Sequence, residues 1–141
     1  MTVNMIGTDI LTTRSIRYLG VQLDSIINFI EHSRKTTVKA SKTAKNIARI
    51  MPKVGASKAT KRKLLASVVQ SQMLYGTQVW ADMMQPGGWT IFTKSQKKIL
   101  LRVATAYRTV STSALHVITG IAPIKIIAEE RKTLYEAKKK Q

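Results

Sequence analysis

The sequence predicts a mainly α protein in which a short N-terminal β-hairpin precedes a small helical bundle. Three observations carry that expectation. Residues 16–23 divide between two faces at a period of two, as a strand requires. Beyond residue 25, apolar residues recur at three- and four-residue steps. Pro and Gly then divide the remainder into segments of helix length.

Taken in order, Thr2 to about Asp24 reads as extended structure. Arg17, Leu19, Val21 and Leu23 face one way, and Ile16, Tyr18, Gly20 and Gln22 the other. Gly7, Thr8 and Asp9 are turn residues between this strand and the run Val3 to Ile6, so the two form a hairpin. A two-stranded hairpin is marginal alone in water, so it is expected to lean on the helices or on a sheet outside this chain. A first helix begins near Asp24 or Ser25, either of which can cap it, with Ile27, Ile30, Thr37, Ser41, Ala44, Ala48 and Met51 inward. Pro52 disfavours helical backbone at Met51 and ends that segment.

Gly55 lies in the next connection, and Ser57 caps a second helix running to about Trp80. Leu64, Leu65, Val68, Val69, Met73 and Val79 give this helix a broad apolar face. Pro86-Gly87-Gly88 reads as the clearest break in the chain. A third helix follows from about Trp89 to Ala106, with Phe92, Ile99, Leu100 and Val103 inward. Thr109 or Ser111 caps a short helix ending at Gly120, and Pro123 suits the first position of a last helix. Ile124, Ile127, Leu134 and Tyr135 form its buried stripe, and Glu136 can pair with Lys140. The expected division is a hairpin over 1–24 and a helical domain over 25–141.

Composition bounds the function. The 141 residues make about one domain, with 44% apolar residues, ordinary for a folded protein. There is no cysteine, which excludes disulfides and thiolate metal sites and fits a reducing compartment. The N-terminus has no basic region followed by an apolar one, so no secretory signal is expected. No apolar run approaches the ~20 residues of a membrane span. The expected location is intracellular, nuclear or cytoplasmic, with no membrane partner.

Charge is the strongest functional signal. From His32 to Ala81 the chain carries eleven Lys or Arg and no Asp or Glu, within a formal net charge of +17. Such a surface calls for a polyanion, and phosphate backbones are the commonest one. Lys35, Lys39, Lys42 and Arg49, with Asn46, fall on one side of the first helix, a basic edge about 21 Å long. Lys61, Arg62 and Lys63 open the second helix, where cations oppose the helix dipole and a nearby phosphate would favour them. Lys94, Lys97, Lys98 and Arg102 repeat the arrangement on the third. The competing reading of each set is a solvated helix face. Trp80, Trp89 and Phe92 are expected as core or loop anchors in preference to base-stacking platforms, and Tyr18 and Tyr107, each beside an Arg, as candidates for base stacking or for packing.

Catalytic arrangements are poor. His32, expected exposed, and His116, expected packed, have no acidic residue spaced for a metal site. Asp9, Asp24 and Asp82 are isolated, whereas two-metal phosphoryl transfer needs clustered carboxylates. No catalytic residue, metal ligand or cofactor is assigned.

Several segments nevertheless form an ordered pattern. They are Ile16-Arg17-Tyr18-Leu19-Gly20-Val21-Gln22-Leu23-Asp24 with Phe29 and His32 following, then Ser71-Gln72-Met73-Leu74-Tyr75-Gly76-Thr77-Gln78-Val79-Trp80. Gln96 to Val103, Ala106 to Ser111, Ala114-Leu115, Gly120, Pro123-Ile124 and Glu130-Arg131 continue it. Together they resemble non-LTR retrotransposon reverse transcriptases of arthropod type, over the region just after the palm. The resemblance implies a primer-grip edge at Tyr18, Leu19 and Gly20 and a helical thumb that holds template–primer duplex by its backbone. It also implies a partner in the rest of a longer polyprotein. The Tyr-x-Asp-Asp metal site of that family is missing from these residues, so any Mg²⁺ would belong to the palm, and the chain is expected to grip nucleic acid without synthesising it. Two other functions remain open from the residues: a stand-alone basic RNA-binding protein, and a helical interaction module presenting Leu64 to Val79.

Overall fold

A computed structural model describes residues 1–50 and 58–140, with the backbone alone at Ile50. Strands β1 (Thr2–Met5), β2 (Thr8–Leu11), β3 (Ser15–Tyr18) and β4 (Val21–Asp24) precede helices α1 (Ile30–Ile50), α2 (Ala59–Met73), α3 (Thr77–Trp80), α4 (Pro86–Ala104), α5 (Thr112–Thr119) and α6 (Ile124–Lys139). The mainly α class with an antiparallel N-terminal hairpin region stands as expected.

The hairpin region differs in detail. Val3–Ile6 does not pair with the strand over 16–23; two successive hairpins form, β1 with β2 and β3 with β4. Each closes through a two-residue loop whose residues both have positive φ, Ile6-Gly7 and Leu19-Gly20. That is the turn geometry whose twist matches paired strands, and Gly supplies its second position without strain. Ile6 and Leu19 occupy the left-handed region despite their bulk. The first hairpin is exposed along both strands. The second packs against α1 through β4.

Helix α1 starts at Ile30, later than Asp24 or Ser25, because residues 25–29 form a capping turn. The Asp24 carboxylate accepts from the backbone N–H groups of Asn28 and Phe29, and Asn28 Oδ1 accepts from Ile30 N–H at 3.0 Å. Ile27 and Phe29 there have positive φ. The buried stripe is Phe29, Ser33, Ala40 and Ala44, with Ile47 packed beside it; Ser41, Ala48 and Ile27 are exposed. Alanine at the contact lets α1 lie close to α2 and α4. The expected roles of Met51, Pro52, Gly55 and Ser57 lie outside the described residues.

The second expected helix is two. Leu74-Tyr75-Gly76 interrupts it, with Gly76 at φ 69°. A Cβ at Gly76 would sit 2.8 Å from Val21 Cγ2, so this break is where the second hairpin meets the bundle. Leu65, Val69 and Met73 are buried, whereas Leu64, Val68 and Val79 are exposed, so the apolar face is narrower than expected.

Pro86-Gly87-Gly88 is the opening turn of α4 and not a break. Pro tolerates the first helical position because its missing N–H has no intrahelical partner there. Gly88 is buried against Met84, which a Cβ would meet at 2.7 Å. The helix ends at Ala104 on a left-handed Thr105. Ser111 caps α5 by accepting from Ala114 N–H at 3.2 Å, and Gly120 ends it at φ 66°.

Pro123 stands one place before α6, at its cap, where it offers no side-chain acceptor. Gln96 of α4 supplies one instead. Buried to 1% exposure, it accepts from Ile124 N–H and donates to Ala122 O, both at 2.9 Å. Leu134 and Tyr135 are exposed, and Ala128 with Ile124 forms the buried stripe of α6. Glu136 pairs with Lys132, one turn back, and Lys132 also binds Asp82.

The core centres on rings. Trp80 is fully buried, with Phe92 5.3 Å, His32 5.5 Å and Trp89 5.8 Å from it between ring centroids. Its Nε1–H donates to Tyr75 O at 2.9 Å. The expected anchoring by Trp80, Trp89 and Phe92 is what the packing shows.

Candidate nucleic-acid interface

The basic residues of α1 stand on the side of the helix away from its alanine stripe. Lys35, Lys39, Lys42 and Arg49 are all exposed. Two of them face a groove of about 790 Å³ between the second hairpin, the start of α1 and the end of α2. Arg17 and the turn Leu19-Gly20 form one wall, His32, Lys35 and Lys39 another, and Gln72 with Tyr75 a third. Thus the structure brings Leu19 and Gly20, two of the three residues expected at a primer-grip edge, beside two of the basic ones. Tyr18 is exposed next to them and does not line the groove.

Three cations of the groove come from two elements, Arg17 from β3 and Lys35 and Lys39 from α1. At one turn's spacing on α1, both ammonium groups project to the same side. Glu31 lies 3.7 Å from Lys35, a partly exposed pair that gives little stability and leaves the lysine available to a stronger anion. The acid-free stretch begins one residue too late to exclude this carboxylate.

The wall carrying Leu19 is fixed from the break that follows α2. Tyr75 Oη donates to Leu19 O at 3.3 Å, and a Cβ at Gly20 would meet the Tyr75 ring at 2.9 Å. Leu19, 77% exposed, and the 59% exposed Tyr75 ring therefore give the cationic groove an apolar and aromatic rim.

His32 is the largest departure from expectation. It is 3% exposed, because the second hairpin covers the first turn of α1. Its Nδ1 accepts from Gln22 N–H at 3.2 Å, which places the proton of the neutral ring on Nε2, a buried atom without a hydrogen-bond partner among the described residues. Burial lowers its pKa from 6.5 to about 4. The unfolded chain therefore takes up this proton first as pH falls. Stability from this group is complete above about pH 6.5 and declines down to about pH 4. The loss approaches about 3 kcal/mol, at roughly 1.4 kcal/mol per pH unit. Urea denaturation of the protein and of His32→Asn between pH 7 and 5 checks this; equal pH dependence in the two would exclude His32 as its source.

The other predicted residues lie elsewhere. Lys98 and Arg102 border shallow recesses on the opposite flank of α1, at its seam with α2 and α4, where Arg62 joins them. Arg62 is half-buried and its Nε–H donates to Val103 O at 2.9 Å, closing the C-terminal turn of α4. Lys42, Arg49, Lys61, Lys63 and Lys94 are exposed and line neither place, and Lys97 is half-buried. Sequence reasoning missed Arg17, Gln72 and Tyr75 as groove residues, although all three fall within the two longest motifs. His116 is half-buried, its Nδ1 2.7 Å from Ile121 O. Among the described residues, no group of three or more His, Cys, Asp or Glu is placed to hold a metal, and no helix is long and apolar enough to cross a membrane.

What the fold and site define is a small helical bundle with a cationic groove roofed by a β-hairpin. Comparison with known proteins is more particular. The chain is 28% identical, over 98% of its length, to the putative 115 kDa protein in type-1 retrotransposable element R1DM of Drosophila melanogaster. It is 26% identical, over 87% of its length, to the retrovirus-related Pol polyprotein from type-1 retrotransposable element R1 2 of Nasonia vitripennis. The chain spans 14% of the first relative and 30% of the second. It is thus a distant relative of retrotransposon-encoded proteins. No protein-family model and no solved structure matches it.

Proposed function

We propose that this chain is a thumb-type segment of a reverse-transcriptase-related protein, holding template–primer nucleic acid through its phosphate backbone without catalysing synthesis. The observation that carries the reading is the convergence of Arg17, Lys35 and Lys39 on one groove beside the Leu19-Gly20 turn. Backbone phosphates are the polyanion that such a row of cations meets with counterion release. Relatives named for retrotransposable elements and a Pol polyprotein support the context. The flanking cations Lys42 and Arg49 would extend the contact along the strand, and the partners would be RNA, RNA–DNA hybrid or DNA, together with the rest of a polyprotein.

A filter-binding titration with RNA–DNA hybrid tests it. If about six phosphates are contacted, log K should fall against log salt with a slope near −5. No binding at low salt, or binding indifferent to salt, would overturn the reading. A strong preference for single-stranded RNA over hybrid would favour a stand-alone RNA-binding role instead.

A further inference from the structure

The groove's two cationic walls belong to separate elements, β3 and α1. With Leu19-Gly20 as a two-residue loop, Tyr18 and Val21 close the hairpin, and Arg17 opposes Gln22 in the next pair. In that pair the Gln22 N–H points away from β3, toward α1. It finds an acceptor in His32 Nδ1, on the same helix as Lys35 and Lys39 and within one or two turns of them. Arg17 is the residue directly across from Gln22. One buried hydrogen bond therefore ties the strand pair carrying Arg17 to the helix carrying both lysines.

The remainder of the His32 ring argues that this bond is its purpose. Nε2 is buried with no hydrogen-bond partner among the described residues, and the ring otherwise packs among Phe29 and Trp80, where a wholly apolar side chain would serve. Burial keeps the imidazole neutral, so it adds no fourth charge beside three cations.

From this we infer that His32 is a positioning residue for the groove: its bond to Gln22 holds Arg17 at the spacing from Lys35 and Lys39 that lets all three engage one phosphate backbone together. The inference rests on the proposed nucleic-acid reading and identifies a residue that reading does not require.

The test is a salt series of fluorescence anisotropy on an RNA–DNA hybrid, with thermal melts run beside it. His32→Phe, which keeps the ring and removes the acceptor, should lower the slope of log K against log salt by about 0.9, the share of one phosphate contact. His32→Asn, whose Oδ1 can replace Nδ1, should keep the full slope. Arg17→Gln should lower the slope by the same amount in the natural protein and by nothing more in His32→Phe. A full slope in His32→Phe, or fully additive losses in the double variant, overturns the inference alone. Because Arg17 is exposed, its single variant reads out even if His32→Phe does not fold: an unchanged slope in Arg17→Gln also overturns it. Salt-independent binding by the natural protein overturns the nucleic-acid reading and this inference together.

Discussion

Changing Arg17, Lys35 and Lys39 together to Glu is expected to weaken hybrid binding roughly a thousandfold at 0.1 M salt. Each phosphate contact adds about −0.9 to the salt slope and hence about tenfold at that concentration, so three contacts multiply to that figure. The fold should survive. All three side chains are exposed, and surface changes of this kind stay within about 0.5 kcal/mol each. The Lys35 change adds a like-charge contact with Glu31, a few tenths of a kcal/mol on a helix surface. Changing Lys138, Lys139 and Lys140 to Glu is the matched control, because it alters net charge equally at residues that line no part of the groove. It should cost less than tenfold. Equal losses from both triples would mean that overall charge, and not the groove, attracts the polyanion.

Trp80→Ala should lower the stability of the bundle by about 3–5 kcal/mol, the range for removing a buried large aromatic. Trp80 has no exposed surface and is ringed by His32, Trp89 and Phe92, so its loss leaves a cavity where β4, α1 and α4 meet. The indole hydrogen bond to Tyr75 O is lost as well, at the same break that seats Gly76 against Val21. Against a typical total of about 5–15 kcal/mol this is a large fraction, and the melting temperature should fall by about 10–20 °C. Urea unfolding followed by circular dichroism reads it directly. A loss below about 1 kcal/mol would show that the aromatic cluster is not the centre of the core.

Much of the secondary structure could be read from local pattern. The span of α5 between Ser111 and Gly120 follows from a side-chain cap and a glycine free to take positive φ, both properties of single residues. The inward set of α4, Phe92, Ile99, Leu100 and Val103, follows from helical spacing. Failures occurred where a local signal had two meanings. Pro86 marks a break or a first turn equally well, and the burial of Gly88 against Met84 settles which. Ser41 and Ala48 share the spacing of an inward face, yet small residues carry too little apolar surface to orient a helix. The face that turns inward carries Ala40 and Ala44 and lies in the core with Phe29, just ahead of α1, and with Ile47 packed beside it.

Charge, the absence of cysteine and the order of the motifs required no coordinates, because they are sums and sequences of residue types. Charge by itself leads to the expectation of a polyanion partner, and the two periodicities to a helical bundle with a hairpin at its head. The groove is another matter. Arg17 and Lys39 are distant along the chain, and the seating of β4 on α1 through Gln22 N–H on His32, and on the α2–α3 break through Val21 against Gly76, brings them to one groove. Helical periodicity places each cation on a face, but the distance between faces is set by packing between elements, which no local pattern records.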